Sequence, residues 1–143
     1  MTESKGLFLI DSNVLIYAYE REESIKKDKA KKLLKECLLG IRQFAVSSQN
    51  LAEFASVTTK KDKLSIDEAK NFVVKIVQFE GLKKINCNAE PIPIALDIMQ
   101  QHKMSFRDSL LAATMKENSI FNIYTENTKD FKMPWIKTVN PLK

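Results

Sequence analysis

Three acidic residues stand where a carboxylate could do chemistry. Asp11 ends the apolar run Leu7–Ile10 and is followed by Ser12 and Asn13 before apolar residues resume at Val14. Burying a carboxylate without a partner is expensive, so a neutral core filler would have been cheaper there. Asp108 lies three, four and seven positions before Leu111, Ala112 and Met115 and shares their inward helical stripe. Ser105-Phe-Arg-Asp108 also fits a capping box, and an acid in a first helical turn is favoured by the helix dipole. Glu53 falls about opposite the Leu51, Phe54 and Ala55 stripe, which by itself predicts a solvated residue. Several carboxylates around one cleft would repel each other and raise their own pKa values. A hard divalent cation such as Mg²⁺ or Mn²⁺ reverses that penalty, because it prefers oxygen ligands. It also lowers the pKa of a bound water and neutralises charge building on a phosphate. That chemistry is open to a chain without a usable histidine.

Other chemistries fail on the residues. There is no GxGxxG, no GxxxxGK[ST] and no GxSxG. His102 is the sole histidine and shares a helical face with Ile94, Ala95 and Ile98, which reads as partly buried packing. Cys37 and Cys87 form no CxxC pair, so neither a disulfide framework nor a zinc site is expected, and a reducing compartment is favoured. The net charge of +5 is compatible with a polyanionic partner without requiring one. The opening apolar run, interrupted by Asp11, reads neither as a signal peptide nor as a membrane span. A cytoplasmic protein with no membrane association is expected.

The elements that must position these acids follow from periodicity. Residues 7–10 read as a strand buried on both faces, followed by a helix over Val14–Glu20. Ser24 can cap a helix over Ile25–Leu39 that ends at Gly40, with Ile25, Leu33, Leu34, Cys37 and Leu38 as its apolar positions. Phe44–Ser47 and Leu82–Cys87 read as strands, and Ser48–Lys60 as a helix. Ser65-Ile-Asp-Glu68 is a capping-box signature opening a helix that ends near Gly81. After two prolines, helices are expected over Ile94–Lys103 and Phe106–Asn118, then strands over Ile120–Tyr124 and Trp135–Val139. Strands alternating with helices predict a mostly parallel sheet. Ligands then bind beyond the carboxyl ends of the strands, where Asp11, Ser47 and Thr125 fall.

The segments "LIDSNVLIYAY", "SSQNLAEF", "FRDSLLAATMKEN" and "IYTENTKDF" resemble, in this order and over nearly the whole chain, the motifs of PIN-domain ribonucleases. The overall form is that of the short VapC-type toxins. The resemblance implies one domain over residues 1–143, a three-layer α/β/α fold with a mostly parallel central sheet of four to five strands. It implies an Mg²⁺- or Mn²⁺-dependent endoribonuclease that leaves a 5′-phosphate and a 3′-hydroxyl. Asp11, Glu53 and Asp108 would ligate the metal, Asn13 would orient the carboxylates, and Ser12 or Thr125 would fix backbone at the strand exits. The chain departs from the family at Asn127, where an Asp is frequent, so a second metal site is in question. Asp130 is the candidate substitute, with an ordinary turn residue as the other reading, and Glu126 is a poorer one.

Lysines occur in runs that include Lys26, Lys27, Lys60 and Lys61. They read first as solvated helix faces, and as sequence-independent phosphate contacts if RNA binds. The partners implied are RNA, an antitoxin protein and a second copy of the chain in a homodimer. A different class of function stands beside this one, an inactive PIN-fold module that binds RNA or a protein partner. A phosphotransfer domain is a third, but such domains usually carry Asp-x-Asp after the first strand, and here the second position is Asn13.

Overall fold

Hydrophobic residues at alternating positions of short central strands face two different helical layers. The computed structural model describes residues 6–60 and 63–143. In chain order the elements are β1 (Phe8–Ile10), α1 (Ser12–Ala18), α2 (Ile25–Leu38), β2 (Phe44–Ser47), α3 (Ser48–Thr59) and α4 (Ile66–Gln78). There follow β3 (Leu82–Ile85), α5 (Pro91–His102), α6 (Phe106–Glu117), β4 (Asn122–Tyr124), a 3-10 turn over Thr128–Asp130 and β5 (Lys137–Val139). The five strands form one sheet in the order β3-β2-β1-β4-β5, every pairing parallel. Phe8, Ile10, Phe44 and Val46 pack with residues of α1 to α4 on one face. Leu9, Ala45 and Ile123 pack with α5 and α6 on the other. The fold is therefore the expected three-layer α/β/α arrangement.

Local signals account for most boundaries. Ser24 caps α2, accepting from the Lys27 N–H at 3.0 Å, and Gly40 closes it with φ of 76°. Ser65 and Glu68 form the expected reciprocal capping box on α4. Three expectations are corrected. Helix α5 begins at Pro91 and not at Ile94, because the first N–H groups of a helix have no partner within it and prolines there cost no hydrogen bond. Ile94 on that helix is exposed, while Ala95 and Ile98 are buried and His102 is half-buried. On α2, Ile25 and Leu38 are 73% and 57% exposed, since they lie off the face formed by its buried residues Lys27, Ala30, Leu33 and Cys37. No helix among the described residues is long and apolar enough to cross a membrane.

The strand order places the chain's reversal of direction between β1 and β4. A crevice opens at such a switch point, beyond the carboxyl ends of the two strands.

Candidate active site

Asp11 leaves β1 at that switch point. Its N–H extends the ladder to the Tyr124 carbonyl at 2.9 Å, which fixes the backbone before the side chain begins. It is the N-cap of α1, with φ −72° and ψ 154°, and is fully buried. Oδ1 accepts from the Ser12 N–H at 2.8 Å and from Asn50 Nδ2 at 3.3 Å, and Oδ2 accepts from Thr125 Oγ1 at 2.8 Å. A buried anion is tolerable only when its lone pairs are used in this way.

Helix α3 brings the second acid. Ser47 and Asn50 form a reciprocal cap at its start, and the Asn50 side chain is then held to face Asp11. Glu53, one turn on, lies on the flank of the same face and accepts a hydrogen bond from Ser12 Oγ. Asp108 arrives on the first turn of α6, where Ser105 Oγ accepts its N–H at 3.1 Å. Its carboxyl does not return to the cap. It turns inward and is buried.

One cation joins the three. Arg107 Nη2 donates to Asp11 Oδ1 at 2.7 Å, to Ser12 Oγ at 2.9 Å and to Glu53 Oε1. Nη1 donates to Asp108 Oδ1 at 2.6 Å, and Nε spans both Glu53 oxygens at 3.1 and 3.2 Å. Burial works against both charges here. For Arg107 it is outweighed by the contacts with Glu53, Asp11 and Asp108, which push the guanidinium pKa above its ordinary value. For Glu53 it is outweighed by hydrogen bonds from Arg107 and Ser12, which hold the carboxyl below its own.

The sequence model of the PIN domain matches residues 8–133, most of the chain. The chain belongs to the PIN-domain family. No curated protein sequence matches it. Among solved structures, VapC20 of Mycobacterium tuberculosis, a toxin that cleaves the sarcin-ricin loop, is similar with a TM-score of 0.65 at 15% identity, over 90% of this chain and 92% of that one. A toxin–antitoxin complex from Klebsiella pneumoniae gives 0.65 at 21% identity, over 94% and 97% of the two chains. VapBC2 from Rickettsia felis, bound to a promoter DNA fragment, gives 0.68 at 18% identity, over 94% and 98%. At these identities the likeness is one of fold.

In this PIN domain the expected acids Asp11, Glu53 and Asp108 meet, though through Arg107 and not directly. Asn13 orients no carboxylate itself; its Nδ2 donates to Thr125 Oγ1 at 3.4 Å and its Oδ1 accepts the Glu126 N–H at 3.3 Å. Thr125, rather than only fixing backbone, gives its hydroxyl proton to Asp11 and accepts from Asn13 and from the Asn127 N–H at 3.1 Å. Asn127 and Asp130 are exposed, and neither side chain hydrogen-bonds to the three acids. Glu126 is taken by Lys26 and Tyr17, which also holds Lys26 over its ring. Lys27 is buried and paired with Glu23 at 2.9 Å, Lys60 is exposed, and Lys61 lies outside the described residues. Sequence reading missed Asn50 and Arg107. Ser47-x-x-Asn50 was a readable cap; for Arg107 the signal was a cation beside an inward-pointing acid.

The PIN fold raises the question of a divalent metal. The donor set fits one in kind: three carboxylates and no sulfur or imidazole suit a hard cation. A guanidinium lies among them and is paired with all three. The spacing is that of the guanidinium, and among the described residues no three acidic, cysteine or histidine side chains are grouped to hold an ion as they stand.

Proposed function

We propose that this PIN domain is a metal-dependent endoribonuclease hydrolysing RNA phosphodiester bonds, the toxin of a toxin–antitoxin pair. The observation that supports it is the convergence of Asp11, Glu53 and Asp108, from three separate elements, on one cation at the sheet's switch point. Asp11, Glu53 and Asp108 would hold one or two Mg²⁺ or Mn²⁺ ions, which supply an activated water and neutralise charge on the phosphate. Thr125 and Asn50 hold Asp11 rigid from two sides, Asn13 supports Thr125, and Ser12 orients Glu53. No part is assigned to Asp130. An RNA substrate and an antitoxin partner are in keeping with the similar structures, a loop-cleaving toxin and toxin–antitoxin assemblies.

A second reading, a non-catalytic module that binds RNA or protein, is favoured by Asn127 and by the ion pairs that already satisfy the acids. The deciding experiment is cleavage of single-stranded RNA in MgCl₂ or MnCl₂, with and without EDTA, by the full chain and by Asp11→Asn and Asp108→Asn. Cleavage is expected only with metal. Each variant should lose on the order of a hundredfold or more, since even outer-shell partners of a metal are worth ten- to a hundredfold. Undiminished cleavage by both variants overturns the ribonuclease; no cleavage by the wild type under any condition, with RNA still bound, establishes the module.

A further inference from the structure

Arg107 uses the oxygens that an ion would need. Asp11 Oδ1, Asp108 Oδ1 and both oxygens of Glu53 accept from its guanidinium, and Asp11 Oδ2 is committed to Thr125. Among the described residues only Asp108 Oδ2, of the three carboxylates, accepts no hydrogen bond. An Mg²⁺ ligand must approach to about 2.0–2.1 Å, whereas a guanidinium holds carboxylate oxygens at about 2.7–2.9 Å. The two cations therefore require different spacings of the same acids. They also repel each other in a partly desolvated site.

We propose that Arg107 is a built-in competitor for the metal: ion binding releases it, and its hold on the acids sets the ion concentration at which the site loads. The inference rests on the metal-site reading above. The asymmetry of burial decides which group yields. Asp11 is fully buried and fixed by the β1–β4 ladder, whereas the Arg107 side chain is 33% exposed and stands on the first turn of α6 at the rim. The guanidinium can swing into water without moving the backbone; the carboxylate cannot. Without an ion, Arg107 relieves the mutual repulsion of the acids, so the chain keeps an assembled site at low metal. A competing internal contact lowers apparent ion affinity in proportion to how strongly the closed state is populated.

Two measurements on the full chain test this. By calorimetry with MnCl₂, Arg107→Gln, which keeps a polar side chain without the charge, should bind at least tenfold more tightly than the wild type. Arg107→Lys, which keeps the charge and loses the fork, should fall between them. The wild type itself reports by NMR, because the chain has only three arginines and the Arg107 Nε–H is identified by its loss in the variant. That signal should move to the position of a solvated arginine as MgCl₂ saturates the site. An unmoved signal at saturation, or no tightening in Arg107→Gln, overturns the competition. If Arg107→Gln does not fold, Arg107→Lys, which also lacks the guanidinium, supplies the same assignment and the NMR arm stands. If Asp11→Asn abolishes Mn²⁺ binding and cleavage while Arg107→Gln gains nothing, the ribonuclease stands and only the competition fails. If neither wild type nor Arg107→Gln binds Mn²⁺, both fail.

Discussion

At Glu53 two opposing effects act on one carboxyl group. Burial disfavours the anion, hydrogen bonds from Arg107 and Ser12 favour it, and the hydrogen bonds win, so the pKa lies below the ordinary value of 4.5. The consequence for stability has a definite sign. Between the native and unfolded pKa values the unfolded chain binds more protons, so stability rises with pH there. The contribution is fully present above about pH 4.5 and is lost as pH falls through the lower native value. Glu53→Gln in metal-free buffer should therefore flatten the acid side of the stability curve, read by urea denaturation at a series of pH values. The side chain is 34% exposed, so solvent screening keeps the effect modest. An unchanged acid-side slope would remove Glu53 from the ion-pair cluster. Arg107 shows why such a residue escapes a reading of motifs. Its role depends on Asp11 and Glu53, both distant in sequence, as well as on its neighbour Asp108, and only the fold brings the first two within its reach.

Helix caps connect element stability to the site unequally. Ser47 and Ser65 each make a capping box, but the Ser47 box includes Asn50, whose amide holds Asp11, whereas the Ser65 box ends at Glu68, which is exposed and pairs with Arg21. Ser65→Ala and Ser47→Ala should each cost about 1 kcal/mol by denaturant titration. Only Ser47→Ala should also weaken Mn²⁺ binding and slow RNA cleavage; equal effects on cleavage would uncouple the cap from the site. Elements of this kind were legible because caps and apolar periods are local. Every strand lies within or beside its expected segment, and the parallel sheet follows from their alternation with helices. The orientation of Glu53 was not legible. The apolar stripe of α3 omits Asn50, yet Asn50, Phe54 and Thr58 are the residues buried, so the inward direction is rotated toward Glu53, which lies about 100° from Phe54. A buried polar side chain is invisible to a hydrophobic pattern. Asp108, which fitted both a capping box and an inward stripe, follows the stripe: Ser105 accepts its N–H, but its carboxyl turns to Arg107 and leaves the box half made.

The whole molecule carries a net charge of +5 while the proposed site gathers three carboxylates around one guanidinium. A polyanion therefore meets an attractive surface and a locally acidic cleft, and its capture depends on lysines outside the cleft. The lysines are not equivalent. Lys60 is exposed, and Lys26 is half-exposed beside Glu126 at the carboxyl end of β4. Lys27 is buried along its stem and paired with Glu23, so its charge is already spent within the fold. Binding of single-stranded RNA in EDTA should weaken linearly in log–log terms with KCl, each neutralised phosphate adding a slope of about −0.7. Lys60→Ala and Lys26→Ala should each reduce the slope by about 0.7, the second only if RNA draws Lys26 away from Glu126. Lys27→Ala should leave the slope intact and instead cost about 1 kcal/mol of stability through the lost packing of its stem. If the Lys27 variant changes the slope while the other two do not, the basic surface that meets RNA is not the one marked by Lys26 and Lys60.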